Sequence, residues 1–216
     1  MWNEARGNAT DAAAALRQRA AGEVWQESPL VGVGDLLKTH QAGASKKFSL
    51  SEQAFRDLVN VRGDVTDPAF VSAVEYVTGC RPPAKPNTVA RGNGYDVLWL
   101  GPDEWLVCSQ QQQGATLEGK LRQALTGQFA SAVDIGSGYT LLEVSGERVR
   151  EVIARGCPLD LHPRVFTPGQ CAQSHYFKAS MVLVPLSADT FQLIVRRSFA
   201  DYFCRIMLDA AAPLMA

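Results

Sequence analysis

No hydrophobic run in the 216 residues approaches the about 20 apolar residues that cross a membrane. Charge of one sign is missing too. Lys and Arg total 21, Asp and Glu total 22, and the net charge is −1, which removes the electrostatic case for nucleic acid or an anionic membrane as partner. Histidine is scarce, with three residues, and five cysteines cannot all pair within one chain. A secretory signal is not found at the start, because Asp11, Arg17 and Arg19 break the alanine run before an apolar core forms. Reduced thiols in the cytoplasm are therefore expected. A phosphate loop is lacking as well. Gly136 and Gly138 stand in "DIGSGYTLLEV", but the residues after them alternate like a strand, so a hairpin turn is expected there.

What is there is an ordinary globular chain, 46% hydrophobic and 20% charged, long enough to bury a core without disulfides or metals. Residues 1–27 form an Ala-rich arm. Between Asp11 and Ala21 the one large apolar residue is Leu16, so a helix favoured by alanine would have no face to bury at home. Trp2 and Trp25 bracket it, as anchors for a partner would.

The rest reads as two copies of one pattern, residues 28–130 and 131–216. Each copy runs strand, helix ending in Gly-Cys, strand, tight turn, strand, helix. Val61 matches Val144, Cys80 matches Cys157, Val97 matches Val182 and Trp105 matches Phe191. Phe70, Val71, Val74 and Val77 stripe the first helix between Pro68 and Gly79, and Val149, Val152 and Ile153 stripe its counterpart before Gly156. Pro102 and Asp103 favour a reversal between two strands. Ser198 and Asp201 have capping-box spacing, ahead of an apolar face of Phe199, Tyr202, Phe203, Ile206 and Met207. The Pro-rich "RPPAKPN" is a loop. This order predicts an α+β fold of two ferredoxin-like halves with mainly antiparallel sheets.

The segment "RGCPLDLHPRVFTPGQCAQSHYF", residues 155–177, is the one place where chemistry concentrates. Cys157, His162, Cys171 and His175 could be four metal ligands. Their spacing differs from the close pairs of zinc sites, and two strand positions four apart stand about 13 Å from each other. Cys157, His162 and Asp160 could be a nucleophile, base and orienter. A thiol at a helix C-terminus faces the negative end of the dipole, which disfavours the thiolate. The plainer reading is a buried thiol at a helix end, a loop histidine and a half-buried strand. Asp134 could hold a polar ligand ring, and Arg196 and Arg197 could grip an anion at a helix start or pair with an acidic neighbour. No catalytic, cofactor-binding or metal-ligating residue is assigned from these patterns.

At "GPDEWLV", "RGCPLDLHPRVF" and "RRSFADYF", and in "ESPL" near the start, the chain resembles the gamma subunit of heterotetrameric sarcosine oxidase, over about residues 27 to 210. The resemblance implies the fold of the glycine-cleavage T protein superfamily. It also implies an assembly with alpha, beta and delta subunits that demethylates sarcosine to glycine and passes the one-carbon unit to tetrahydrofolate. Flavins, NAD, zinc and tetrahydrofolate then belong to the partner subunits and no cofactor to this chain. The Cys/His segment becomes packing between the halves. Folate-using T proteins carry an Asp-x-Ser-His type turn, whereas the turn from Asp134 to Gly138 has no histidine. The alternative is a stand-alone folate-binding protein of the same superfamily, against whose Lys-Gly-Cys-Tyr-x-Gly-Gln-Glu signature "TPGQCAQ" offers Gly-Gln and cysteine in a different order.

Overall fold

Pro68 opens a helix that Asp67 caps by accepting the Ala69 N–H at 2.9 Å, and Gly79 closes it in the left-handed conformation at φ 71°. This is α2 (Pro68–Thr78), and it buries Phe70, Val71 and Val74. The structure is a computed structural model and describes residues 17–19, 25–42, 46–112 and 116–215. Around α2 the first unit runs β4 (Leu58–Arg62), α2, β5 (Val89–Gly92), β6 (Tyr95–Gly101), β7 (Glu104–Ser109), α3 (Leu117–Ala124) and β8 (Ser131–Asp134). Its sheet has the order β5-β6-β7-β4-β8, with every neighbour antiparallel. Leaving out β5, this is the ferredoxin-like order. The expected reversal at Pro102–Asp103 joins β6 to β7.

The second unit runs β9 (Tyr139–Ser145), α4 (Val149–Ala154), β10 (Ala172–Tyr176), β11 (Ala179–Pro185), β12 (Thr190–Arg196) and α5 (Ala200–Met215). Its sheet order is β10-β11-β12-β9-β3, where β3 is Ser49–Glu52, again antiparallel throughout. The two orders correspond strand for strand, so the α+β fold of two ferredoxin-like halves is present. The closing strand differs in origin. In the first sheet it is β8, which follows in sequence. In the second it is β3 (Ser49–Glu52), which comes from ahead of β4. Each of these edge strands thus lies across residue 130 from the rest of its sheet. The "DIGSG" turn is accordingly no hairpin. Its 3-10 turn, Gly136–Gly138, carries the chain from β8 in one sheet to β9 in the other.

Val61 lies directly opposite Trp105, and Val144 directly opposite Phe191, so those matched pairs are matched in register. Val97 and Val182 are not equivalent. Val97 faces the helices and Val182 faces the other sheet. With a side-chain period of two, a one-residue offset puts them on opposite faces.

Three cores result. One lies under α2 and α3 around Phe70, Trp105 and Leu121. Another lies under α4 and α5 around Ile153, Phe191, Phe203 and Met207, and it also takes Leu30, Leu37, Phe48 and Leu50 from α1 (Gly34–Ala42) and its flanks. Between the sheets runs a seam in which Leu58, Leu98, Leu106 and Cys108 meet Leu141, Cys171, Val184 and Ile194. The face of α5 is narrower than its sequence suggests. Phe203 and Met207 are buried with Ala200 and Cys204, while Phe199 and Tyr202 are 40% and 37% exposed. Asp201 makes no capping box with Ser198. It takes the Arg205 Nε–H at 2.7 Å, one turn on.

Part of the arm is extended and not helical. β1 (Arg17–Arg19) pairs antiparallel with β2 (Trp25–Glu27) in a short ribbon, with Arg17 in register with Glu27. Trp2 and the alanine run lie outside the described residues. Among the described residues no helix is long and apolar enough to cross a membrane.

Candidate functional site

The Cys/His segment starts where α4 stops. Gly156 sits against the ring of Phe177, which a Cβ there would meet at 2.5 Å, and Phe177 N–H bonds the Gly156 carbonyl at 2.9 Å. Only glycine permits this closure of the segment on itself. Cys157 is buried 3.5 Å from the Ser174 hydroxyl. Asp160 accepts the His162 backbone N–H at 2.9 Å, and His162 Nδ1 accepts the Arg164 N–H at 3.2 Å. Both side chains thus hold a turn on the surface. Leu161 and Phe166 anchor that turn inward.

Arg150 on α4 clamps the turn from below. Its Nη1 donates to the Leu161 carbonyl and, at 3.4 Å, to that of Phe166, and its Nε donates to the Ala188 carbonyl at 2.8 Å. The guanidinium also lies 4.8 Å over the Phe191 ring. Further on, Gln170 takes the Thr167 N–H at 2.7 Å. The segment then crosses to the first unit. Thr88 bridges Gln170, Val89 N–H bonds the Gly169 carbonyl at 2.9 Å, and Cys171 N–H bonds the Asn87 carbonyl at 2.9 Å. Gln173 reaches the Leu100 carbonyl at 2.8 Å. The Cys171 thiol sits in the seam beside the Trp99 carbonyl, 3.4 Å away, and burial pushes its pKa up to about 11.

The four candidate ligands are therefore dispersed. Cys157 lies in the second-unit core, Cys171 in the seam, His162 on a surface turn and His175 exposed on an edge strand. Among the described residues no three His, Cys, Asp or Glu side chains are gathered to hold a metal ion. Cys157, His162 and Asp160 form no catalytic group either, because the histidine and the aspartate both serve the backbone of their own turn. Burial also pushes Cys108 up and Cys204 up to about 12, so these thiols stay protonated. Cys80, at the end of α2, is half-buried, and its thiol too is raised by burial. Asp134 accepts the Gly136 N–H at 2.7 Å, which closes its turn.

The structure assembles one polar group that no spacing in the sequence announces. Glu52 on β3 takes the Ser28 hydroxyl at 2.6 Å and the Thr140 hydroxyl at 2.5 Å. Arg197 lies nearby and donates to the Glu27 carbonyl at 3.0 Å, on the wall of a hollow of about 570 Å³. Arg196 lies 5.7 Å over the Tyr139 ring. Burial raises the Glu52 pKa against the lowering effects of both hydroxyls and Arg197. The folded protein then holds this proton more tightly than the unfolded chain. The resulting stability is present below the ordinary carboxylate range, about 4.3, and is lost as pH rises through the folded pKa. Glu52→Gln is expected to remove that loss. In urea titrations its stability relative to the parent should climb with pH across the window and then level. A difference that stays constant from pH 4 to 8 would reject the assignment.

Arg150 and Glu52 escaped the sequence reading for one reason: their partners are carbonyls and hydroxyls far along the chain. The faint signal was an arginine set among the apolar residues of "VREVIA".

This geometry can be compared with known proteins. The model of the sarcosine oxidase gamma subunit family matches residues 62–213. The sarcosine oxidase subunit gamma of an Arthrobacter species is 31% identical over 181 residues, which cover 82% of this chain and 88% of that one. That of Corynebacterium sp. strain U-96 is 26% identical over 194 residues, covering 88% and 92%. Among solved structures, a chain of the heterotetrameric sarcosine oxidase from Corynebacterium sp. U-96, in complex with pyrrole 2-carboxylate, superposes with a TM-score of 0.79 at 25% identity, covering 88% of this chain and 97% of that one. The glycine cleavage system aminomethyltransferase T of Bartonella henselae has a TM-score of 0.61 at 14% identity over 90% of this chain and 54% of its own, which marks a shared fold. The matched span holds most of both sheets, the Arg150 clamp and the stitched segment, and on these grounds the chain belongs to the sarcosine oxidase gamma subunit family.

Proposed function

We propose that the chain is the gamma subunit of a heterotetrameric sarcosine oxidase and supplies no catalytic group of its own. The observation that carries this is the use of the Cys/His segment: its thiols are buried, its turn is clamped by Arg150, and its end is stitched to the first unit. In the proposed assembly the alpha, beta and delta subunits hold the flavins, NAD and zinc. They oxidise sarcosine to glycine in the cytoplasm and pass the one-carbon unit to tetrahydrofolate. Membership of the family and the likeness to a chain of a heterotetrameric enzyme support the reading.

Co-expression with the companion subunits tests it. A tagged chain should recover yellow, flavin-bearing partners that produce peroxide from sarcosine, while the chain alone should be colourless and inactive. Removing residues 1–26 should leave the two-unit core folded and lower the recovery. Turnover by the isolated chain would overturn the non-catalytic role. Failure of the full chain to recover any partner would bring the stand-alone folate-binding alternative forward.

A further inference from the structure

Four strands end the two sheets, and three of those edges are blunted. β5 carries Arg91 and is stitched to the second unit through Val89 and its neighbour Thr88. β10 is tied to the first unit through Cys171 and Gln173, and β3 has Ser28 laid beside it on Glu52. β8 is different. Ser131, Ala132 and Val133 bring neither charge nor proline to its edge, and the Asp134 carboxylate is turned back on Gly136. A monomeric protein seldom leaves such an edge unguarded.

Among the described residues no strand pairs with the outer side of β8, and the register says which of its backbone groups face that side. Ile135 N–H bonds the Leu58 carbonyl, and Val133 and Ser131 lie opposite Asn60 and Arg62 in the same phase. In an antiparallel pair, bonding alternates along the strand. Ser131 and Val133 therefore direct their N–H and C=O groups to β4, while Ala132 and Asp134 direct theirs away from it. A hollow of about 370 Å³ lies between β8 and α3, with Glu118, Arg122 and Leu125 on its helix side. Two apolar side chains here stay in water, Val133 on the wall of the hollow and Phe129 just ahead of its Ala130. Phe129 is fully exposed and Val133 is 51% exposed.

We propose that the open edge of β8 receives an extended segment of a partner subunit, which adds a sixth strand to the first sheet alongside β8. The inference rests on the reading of this chain as a subunit. The open groups demand an extended backbone, because only a strand offers N–H and C=O groups at the matching interval. Phe129 and Val133 ask for apolar side chains on that segment. A second copy of this chain is the weaker occupant. One four-residue edge with two side chains falls well short of the about 1,200 Å² that a stable pair buries, so it fixes register where other surfaces supply the affinity. A larger partner subunit has such surfaces.

The test uses hydrogen exchange and one double variant on the full chain, alone and co-expressed with its companion subunits. In the isolated chain the amides of Ala132 and Asp134 should exchange at least tenfold faster than those of Ser131 and Val133. In the complex all four should be slow. Phe129→Ser with Val133→Lys, two surface changes, should leave the circular dichroism unchanged and speed exchange at Ala132 and Asp134 in the complex at least tenfold. If the parent assembles but Ala132 and Asp134 exchange as fast in the complex as alone, the edge proposal fails and the subunit reading stands. Slow exchange at Ala132 and Asp134 in the isolated chain at high concentration would give the edge to a second copy and overturn the proposal. If the parent recovers no partner, the proposal falls together with the reading beneath it.

Discussion

Arg150→Met should loosen the Cys/His segment and destabilise the chain by about 2–4 kcal/mol, as expected for hydrogen bonds to a charged donor on a partly exposed side chain. The arginine satisfies the Leu161 and Ala188 carbonyls and reaches that of Phe166, which leaves them without a partner when it goes. Methionine keeps an apolar stem of similar length and removes the guanidinium, so the change reports the carbonyl bonds together with the contact over Phe191. Two measurements check it. The urea midpoint should fall with an unchanged slope. Trypsin should cut after Arg155 or Arg164 sooner than in the parent, because the turn that holds them is released before the sheets open. A variant that loses stability with no faster cleavage in this segment would show that Arg150 stabilises the core generally and does not hold the turn.

Trp105→Ala should have the largest effect of any single core truncation, about 3–5 kcal/mol. Trp105 is fully buried, lies opposite Val61, packs 5.4 Å from Phe70 centre to centre, and donates its Nε1–H to the Pro83 carbonyl at 2.9 Å. It therefore joins β7, α2 and the Pro-rich loop. Trp105→Phe separates the two roles. It keeps most of the buried ring and frees the Pro83 carbonyl, at about 1 kcal/mol. Thermal unfolding of the two variants beside the parent gives the comparison. Equal losses for both would mean that the hydrogen bond, and not the ring, dominates.

Much of the architecture was legible because it depends on local chemistry. Asp67, Pro68 and Gly79 bound α2, and Pro102–Asp103 turns β6 into β7, whatever the rest of the chain does. The equivalence of Val61 with Val144 and of Trp105 with Phe191, read from the repeat, is kept in the register of the two sheets. The errors share a cause. Val182, the 136–138 turn and the exposed flank of α5 depend on which sheet or face lies beside them, and that is settled by contacts distant in sequence. The same holds for the candidate site. The segment stood out by composition, but the Leu161–Arg150 clamp and the stitch from Gly169 to Val89 are tertiary, so the residues that give the segment its role were the ones least marked.

The origin of β3 has a consequence for biosynthesis. Leu30, Val33, Leu37, Phe48 and Leu50 leave the ribosome early, yet the strand and helix they pack on, β9 and α5, are made much later. At about 5–20 residues per second, the nascent chain holds an apolar segment without its native cover for several seconds. The first unit can meanwhile close around β8, so the early segment must stay unpaired beside a finished sheet. Slow translation between residues 139 and 215 would lengthen that exposure, and a chaperone that binds short apolar stretches would find its natural target in residues 30–50.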